Sequence, residues 1–472
     1  MAQFLAAGPS VDMVNLVASL FGTPPTDPGY PDNLTKASYM FTGLSFVQGM
    51  SNLFYMPLII KYGRRPVYIL SFLVYGGCAL WAGLATSYAS ELSARLMLGL
   101  AGGSAECLAP LTIADTFFLH ERGLVMALYS ASLSSGIAGG IIISGLITMK
   151  KSWRVIYYVA TAFIWALVIA IFLTMPETSY RRFQKNDQLS VKPSGVSGSK
   201  EASSHVEISD STVPPKKTYF QRLAIFSGTY TSESLWKLFW RPVPLLFLPP
   251  VFWATLAMSV VVGAFVAISS NFASSFALNY GWVSWQSGLS FVAVLLGSLV
   301  GIMGGGWLSD ACADWLTKRN KGVREPEMRL PTLTLSMILG PLGLVLYGVG
   351  IQNRSHWIVP VLGLGIFAFA LTQSTNILVV YVIDAYRPVA GEAVVAQLSF
   401  KAAFGFLLSF YVNPWVEKSG MLNTFGALAG INAAFFVMWI PTYYLGKKIR
   451  HASLKWRIMR GVNWNDDREV GE

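Results

Sequence analysis

The chain has 472 residues, of which 53% are apolar and only 12% charged, with a mean hydropathy of +0.50. No ordinary soluble domain needs that balance, and recurrent apolar runs of about 20 residues match a hydrocarbon core of about 30 Å at 1.5 Å rise per residue, so an integral membrane protein is expected. The net charge of +11 does not mark nucleic-acid binding: only six of the 35 Lys and Arg (Lys36, Lys150, Lys151, Arg154, Arg354, Lys418) fall in one set of loops, two (Arg95, Lys401) fall within spans, and the rest crowd the opposite loops, the central linker and the C-terminal tail, which the positive-inside rule places in the cytoplasm.

In chain order the apolar pattern predicts spans over about 1–21, 37–60, 67–86, 90–113, 124–147 and 153–175, then 245–270, 285–308, 331–350, 357–382, 391–413 and 424–446. The expected class is an all-α membrane protein with twelve transmembrane helices in two six-helix bundles. An N-terminal bundle occupies 1–180, a cytoplasmic linker 181–242, a C-terminal bundle 243–446 and a cytoplasmic tail 447–472. The apolar pattern starts at Met1 without a basic leader, so no cleavable signal peptide is evident, and the first span lacks a cytoplasmic tail, which suggests that residues precede Met1. The linker stretch 181–217 is rich in Ser, Lys and Pro and reads as disordered; 219–240 reads as an amphipathic segment with Trp236 and Trp240 at headgroup level, or as an irregular connection. Cys78, Cys107 and Cys312 have no pairing or ligand spacing, so neither a disulfide framework nor a metal site is expected. The sequons at Asn33 and Asn353 both fall in loops assigned to the outside, where they would carry glycan in a secretory pathway.

The halves resemble each other. Span 4 ends with Asp115 and span 10 with Asp384, each at the cytoplasmic exit of the fourth span of its half. The Met56–Pro66 stretch, MPLIIKYGRRP, turns from span 2 into span 3; its counterpart after span 8 is Gly306-Trp-Leu-Ser-Asp310. Six-span repeats with a site between the halves at mid-membrane are how many secondary transporters are built.

On these motifs the chain resembles the major facilitator superfamily, and more narrowly its fungal drug:proton antiporter-like branch, over nearly all of residues 1–446. The Met56–Pro66 turn is similar to the loop motif Gly-x-Leu-x-Asp-Arg-x-Gly-Arg-Arg: Leu58, Gly63, Arg64 and Arg65 match, Lys61 stands for the first Arg, and Met56 and Ile60 replace the Gly and Asp. The second copy keeps Gly306, Leu308 and Asp310 and replaces the Gly-Arg-Arg end with a longer loop, so each copy keeps the half the other has lost. Arg95 with Gly99, the stretch 117–123 and Met175-Pro-Glu-Thr178 are further marks of the likeness, whereas the antiporter motif of span 5 is only echoed, by Gly136, Gly139, Gly140 and Gly145 without its Pro. The resemblance implies the major facilitator fold and two pseudo-symmetric bundles with alternating access between them; no nucleophile–base or metal constellation stands out in the sequence, so no enzyme activity is expected. It also implies an ion pair of Arg64 with Asp115 that latches the outward-facing state, with Asp310 and Asp384 acting in the second half.

Charge within a bilayer costs at least about 2.5–3.5 kcal/mol per group, so Asp12, Arg95, Glu106 and Lys401 need a reason. At about 100° per residue, Arg95 and Glu106 lie within about 20° of one helix face, expected to line the central cavity. Glu106 is the candidate proton-coupling or cation-recognising carboxylate, with a structural hydrogen-bonding role as the equal alternative; Asp12 is its rival. Arg95 is read either as a part of proton transfer, as the resemblance implies, or as a snorkelling residue, and Lys401 as snorkelling toward the inner face rather than binding substrate. Gln373 and Asn376 in span 10 either orient substrate or bond between helices; Tyr129, Trp253, Trp285 and Gln286 are weaker candidates. Glycines four apart (Gly99/Gly103, Gly136/Gly140, Gly297/Gly301/Gly305) predict close helix contacts and lack the ending of a phosphate loop, which disfavours ATP-driven transport.

The expected function is secondary transport of a small organic, cationic or amphipathic molecule, driven by a proton gradient without a cofactor or metal. An uncoupled facilitator and a non-transporting sensor remain alternatives. The expected partners are the lipid bilayer and a small-molecule substrate, with no nucleic acid; the protein is expected to be a monomer, multi-pass in the plasma membrane, with both termini cytoplasmic.

Overall fold

A computed structural model describes residues 2–23, 27, 29–117, 119–178, 223–224, 226, 228–230, 233–386 and 389–456, without the side chains of 31, 111, 114–115, 119–124, 126–127 and 454. Described residues include ten runs long and apolar enough to cross a membrane. The run Ala390–Ser453 folds back at Gly420, whose φ of 78° is the left-handed conformation a glycine permits, and so counts twice. Tyr88–Thr116, 29 residues long, completes twelve spans.

The spans are α1 (Ala2–Phe21), α2 (Tyr30–Tyr62), α3 (Arg64–Leu84), α4 (Tyr88–Thr116), α5 (Leu119–Thr148), α6 (Arg154–Thr174), α7 (Pro249–Tyr280), α8 (Ser284–Arg319), α9 (Pro326–Gln352), α10 (Ile358–Ala385), α11 (390–419) and α12 (421–453). Several outlast the apolar runs that announce them. α2 begins seven residues before the expected start, and α8 continues to Arg319 through a stretch expected to be loop. Helical hydrogen bonding does not end where lipid does; only the apolar pattern does.

One consequence concerns the sequons. Asn33 lies in the first turn of α2 rather than in a loop, half-buried, and its amide donates to Thr23 Oγ1 at 3.3 Å; Asn353 is exposed just after α9.

Glycines decide how the halves meet. A Cβ on Gly49 of α2 would lie 2.0 Å from Ala402 Cβ of α11, and one on Gly145 of α5 3.4 Å from Gly288 Cα of α8. Phe46 stacks on Phe406, and Tyr39 packs at a tilt against Phe410, along the same α2–α11 seam. At the end of the bundle away from the basic loops, Asp12 of α1 accepts from Ser284 Oγ of α8 at 2.8 Å, and Val11 joins the core of the second half. That end is shut. Toward the basic loops, by contrast, α4 carries partly exposed residues at helical spacing, Glu106, Ala109, Pro110 and Ile113, whereas Leu98, Gly99, Gly102 and Gly103 above them are buried.

Candidate functional site

Glu106 sits where the partly exposed track on α4 ends. Its placement follows from the glycines of the same helix: a Cβ on Gly99 would meet Leu44 O at 2.5 Å, and one on Gly103 would meet Gln48 O at 2.4 Å, so only glycine lets α2 come this close. The approach delivers Gln48 Nε2 to Glu106 Oε1 at 3.1 Å, and Gln3 Nε2 of α1 donates to the same oxygen at 2.7 Å. Tyr129 of α5 adds a hydroxyl bond to the Glu106 carbonyl oxygen at 3.3 Å. No described residue donates to Oε2. One turn beyond Gln48, and four residues on along the same face, Asn52 is fully buried with neither side-chain polar atom partnered among the described residues. The Glu106 carboxylate thus stands half-satisfied among the described residues, an arrangement that suits a polar ligand.

Arg95 does something else. Although it shares a face of α4 with Glu106, it is fully buried and neither snorkels nor lines the open track. Its Nε bonds Glu91 Oε1 at 2.8 Å, Nη2 bonds the Tyr157 hydroxyl of α6, and its guanidinium lies 3.9 Å from the Phe41 ring centre of α2. Tyr157 in turn donates to Glu91 at 2.8 Å. This is a three-helix clamp inside the first bundle, eleven residues from Glu106. Asp12 is likewise removed from the track: it is buried in the seam, accepting from Asn15 at 2.7 Å and from Ser284.

The basic turn after α2 is clamped within its own bundle. Gly63 has φ 92°, and a Cβ there would lie 2.6 Å from Glu177 Oε2, so glycine is required on both counts. Glu177, just past α6, accepts from the backbone N–H groups of Arg64 and Arg65 at 3.0 and 3.1 Å, a carboxylate on the N-terminus of α3. Arg65 is fully buried and donates to the carbonyls of Met175 and Phe172 at the end of α6, at 2.6 and 2.9 Å. Asp115 lies on α4, but its side chain is outside those described, and with it the expected Arg64–Asp115 pair.

In the second half the corresponding pairing is visible. Arg329, just before the main body of α9, bridges Asp310 of α8 at 2.5 Å and Asp384 of α10 at 3.1 Å; Arg324 reaches Asp310 at 3.5 Å and Asp314 at 3.1 Å. The second copy of the loop motif has therefore not lost its cation. A longer loop has moved it to Arg329, close to the start of the next span, as Arg65 is in the first half.

The Major Facilitator Superfamily model matches residues 10–407. The chain belongs to this superfamily. Among its relatives, Protein HOL1 of Saccharomyces cerevisiae is 26% identical over an alignment covering 93% of this chain and 83% of its own, and the efflux pump FUB11 of Gibberella fujikuroi is 28% identical over 84% and 66%. The human organic anion transporter MFSD10 superposes with a TM-score of 0.61 at 15% identity, covering 93% of this chain and 95% of its own. A partially occluded inward-open xylose transporter XylE from E. coli gives 0.59 at 13% identity, over 93% and 97%. At such identities the structures establish the major facilitator fold and no substrate. The protein is a transporter of the superfamily, integral to the membrane and multi-pass.

The remaining candidates of this superfamily member divide. Gln373 is fully buried and bonds toward α9, accepting from Ser336 Oγ at 2.9 Å, so it joins helices rather than facing the track. Asn376 is half-buried beside Gly305 of α8. Trp253 donates to the Phe435 carbonyl at 3.2 Å, Trp285 packs at Gly145, and Gln286 caps the start of α8; all three are structural. Sequence reasoning missed Gln3, Gln48, Asn52 and Glu177, and it gave the partner of Asp310 as an Arg or Lys of the loop that follows, or a helix N-terminus, without singling out Arg329. Polar amides in apolar spans were a signal for the first three, and aligning the starts of α3 and α9 was one for Arg329.

Proposed function

We propose that this transporter moves a small organic molecule, cationic or amphipathic, by alternating access, and that Glu106 is the carboxylate that couples transport to protons or recognises the cationic group. The observation that carries this reading is the half-satisfied Glu106 carboxylate, with Oε1 held by Gln3 and Gln48 and Oε2 unbonded, at the end of the partly exposed track on α4. A mid-span carboxyl that meets water in one state and is enclosed in another is suited to taking up and releasing a proton. The basic face is the cytoplasmic one in this reading, the membrane is the plasma membrane, both termini are cytoplasmic, the protein works as a monomer, and Asn353 is the sequon better placed for glycan.

The purified protein in liposomes loaded with a pH-sensitive dye tests the reading. Addition of a transported organic cation is expected to move protons across the bilayer in a substrate-dependent way. A dye signal that stays flat while substrate counterflow proceeds identifies an uncoupled facilitator instead, and the absence of counterflow with any substrate would leave a sensor.

The gate is proposed to use Arg64 with Asp115, by analogy with the Arg329–Asp384 bridge in the other half. Each single charge reversal, Arg64→Asp or Asp115→Arg, is expected to lower transport about tenfold, the scale of one charge-assisted hydrogen bond, and the double reversal to recover part of it. No recovery in the double variant counts against the pair.

A further inference from the structure

Lys401 is a second mid-span charge, on the half opposite Glu106, and the Glu106 arrangement does not use it. It is half-buried on α11, and among the described residues no carboxylate or hydrogen-bond acceptor meets its ammonium. Its neighbours set its depth. Ser399 Oγ donates to the Gly49 carbonyl at 2.9 Å, and Ala402 abuts Gly49. Gly49 follows Gln48, the residue that donates to Glu106. Lys401 is therefore level with Glu106 to within about one helical turn, roughly 5 Å.

Its direction follows from the exposure pattern of α11. Gly391, Val394, Leu398 and Lys401 are partly exposed and recur at three- and four-residue spacing, which makes one stripe. The stripe is bounded on one side by Ser399 and Ala402, which touch α2 of the first bundle, and on the other by Phe404 and Leu408, which pack on Gly263 of α7. The outward residues Leu407 and Tyr411 lie on the far side of the helix. Snorkelling to the headgroups does not account for this lysine. The start of α11 is eleven residues away, about 16 Å at 1.5 Å per residue, beyond the reach of its stem.

We propose that Lys401 binds an anionic group of the substrate, so that the site is bipolar and selects amphoteric molecules carrying an amine and an acid on one short frame. This rests on the reading of Glu106 as the cation-recognising carboxylate. An unpaired mid-span ammonium and an unpaired mid-span carboxylate are each costly, and a single zwitterion offsets both. A purely cationic molecule would satisfy Glu106 but leave Lys401 without a counter-charge, so it binds more weakly than a zwitterion of the same length.

Thermal stabilisation of the detergent-purified full chain by matched probes tests this: ω-amino acids of three to six carbons, and the alkylamines and alkylcarboxylates of the same lengths. For at least one length the ω-amino acid is expected to bind tenfold or more tightly than its alkylamine. K401M is expected to reduce that preference to within twofold, and K401R to retain it. E106Q is expected to lose alkylamine binding and keep alkylcarboxylate binding. An ω-amino acid that never exceeds its alkylamine in the unaltered protein, or a preference that survives in K401M, overturns the proposal. Alkylamine binding that persists in E106Q overturns the Glu106 reading on which it rests, while the K401M comparison still reports on Lys401 alone.

Discussion

Transport by the Glu106→Gln protein is expected to lose its pH dependence and to fall by roughly 10- to 100-fold. The substitution is isosteric: the new amide oxygen can still accept from Gln3 and Gln48 where Oε1 does now, at 2.7 and 3.1 Å, so the packing of α1, α2 and α4 is kept and only the charge is removed. Loss of a contact to a charged group is worth about 1.5–3 kcal/mol, which sets that range. Initial rates in liposomes at a series of external pH values, beside a thermal melt showing that the variant is folded, make the measurement. If the pH profile of the variant matches that of the unaltered protein, the coupling proton travels elsewhere, and Asp12 in the α1–α8 seam becomes the group to replace.

Arg95→Leu is expected to destabilise the protein by about 3–5 kcal/mol, because it leaves the Glu91 carboxylate buried without its cation. The double variant Glu91→Leu/Arg95→Leu is expected to regain most of that stability, since an apolar pair of similar volume needs no counter-charge and can still pack against Phe41 and Tyr157. Melting of the detergent-solubilised variants reads the first effect, and transport by the double variant separates the roles. A clamp predicts recovery of both stability and transport. A proton relay predicts a stable double variant that does not transport, and that result would remove the clamp as an explanation.

How legible the molecule was depended on the range of the interaction involved. Arg95 and Glu106 stand on the same face of α4, and periodicity alone made them look like partners in one cavity. The structure separates them: eleven residues of helix carry one into a three-helix clamp and the other to the end of the exposed track, and only the positions of α2 and α6 decide which is which. Gln373 and Gln48 present the converse. Both are glutamines in apolar spans that bond to a neighbouring helix of their own bundle; Gln373 is enclosed against Ser336, whereas Gln48 reaches the carboxylate of Glu106 because Gly99 and Gly103 let two helices touch. The loop motif was readable residue by residue where it is contiguous, at Gly63–Arg65, and only as an unspecified Arg or Lys of the following loop where a long insertion displaced its cation to Arg329.

The amino-acid sequence by itself determined the membrane class, the number of spans and the side that carries the basic loops, because each rests on local quantities, apolar length against bilayer thickness and charge in loops; the superfamily was legible only through the resemblance of short contiguous motifs. It also placed Glu106 at mid-span, since depth in a helix is counted along the chain. Only the tertiary structure decided which charges are enclosed and which are partly exposed, that the halves are joined at the Asp12–Ser284 end, and that Lys401 lies level with Glu106 on the opposite half. Those facts depend on residues tens to hundreds of positions apart being brought together by close-packed glycine seams, and no single helix specifies its neighbour's register.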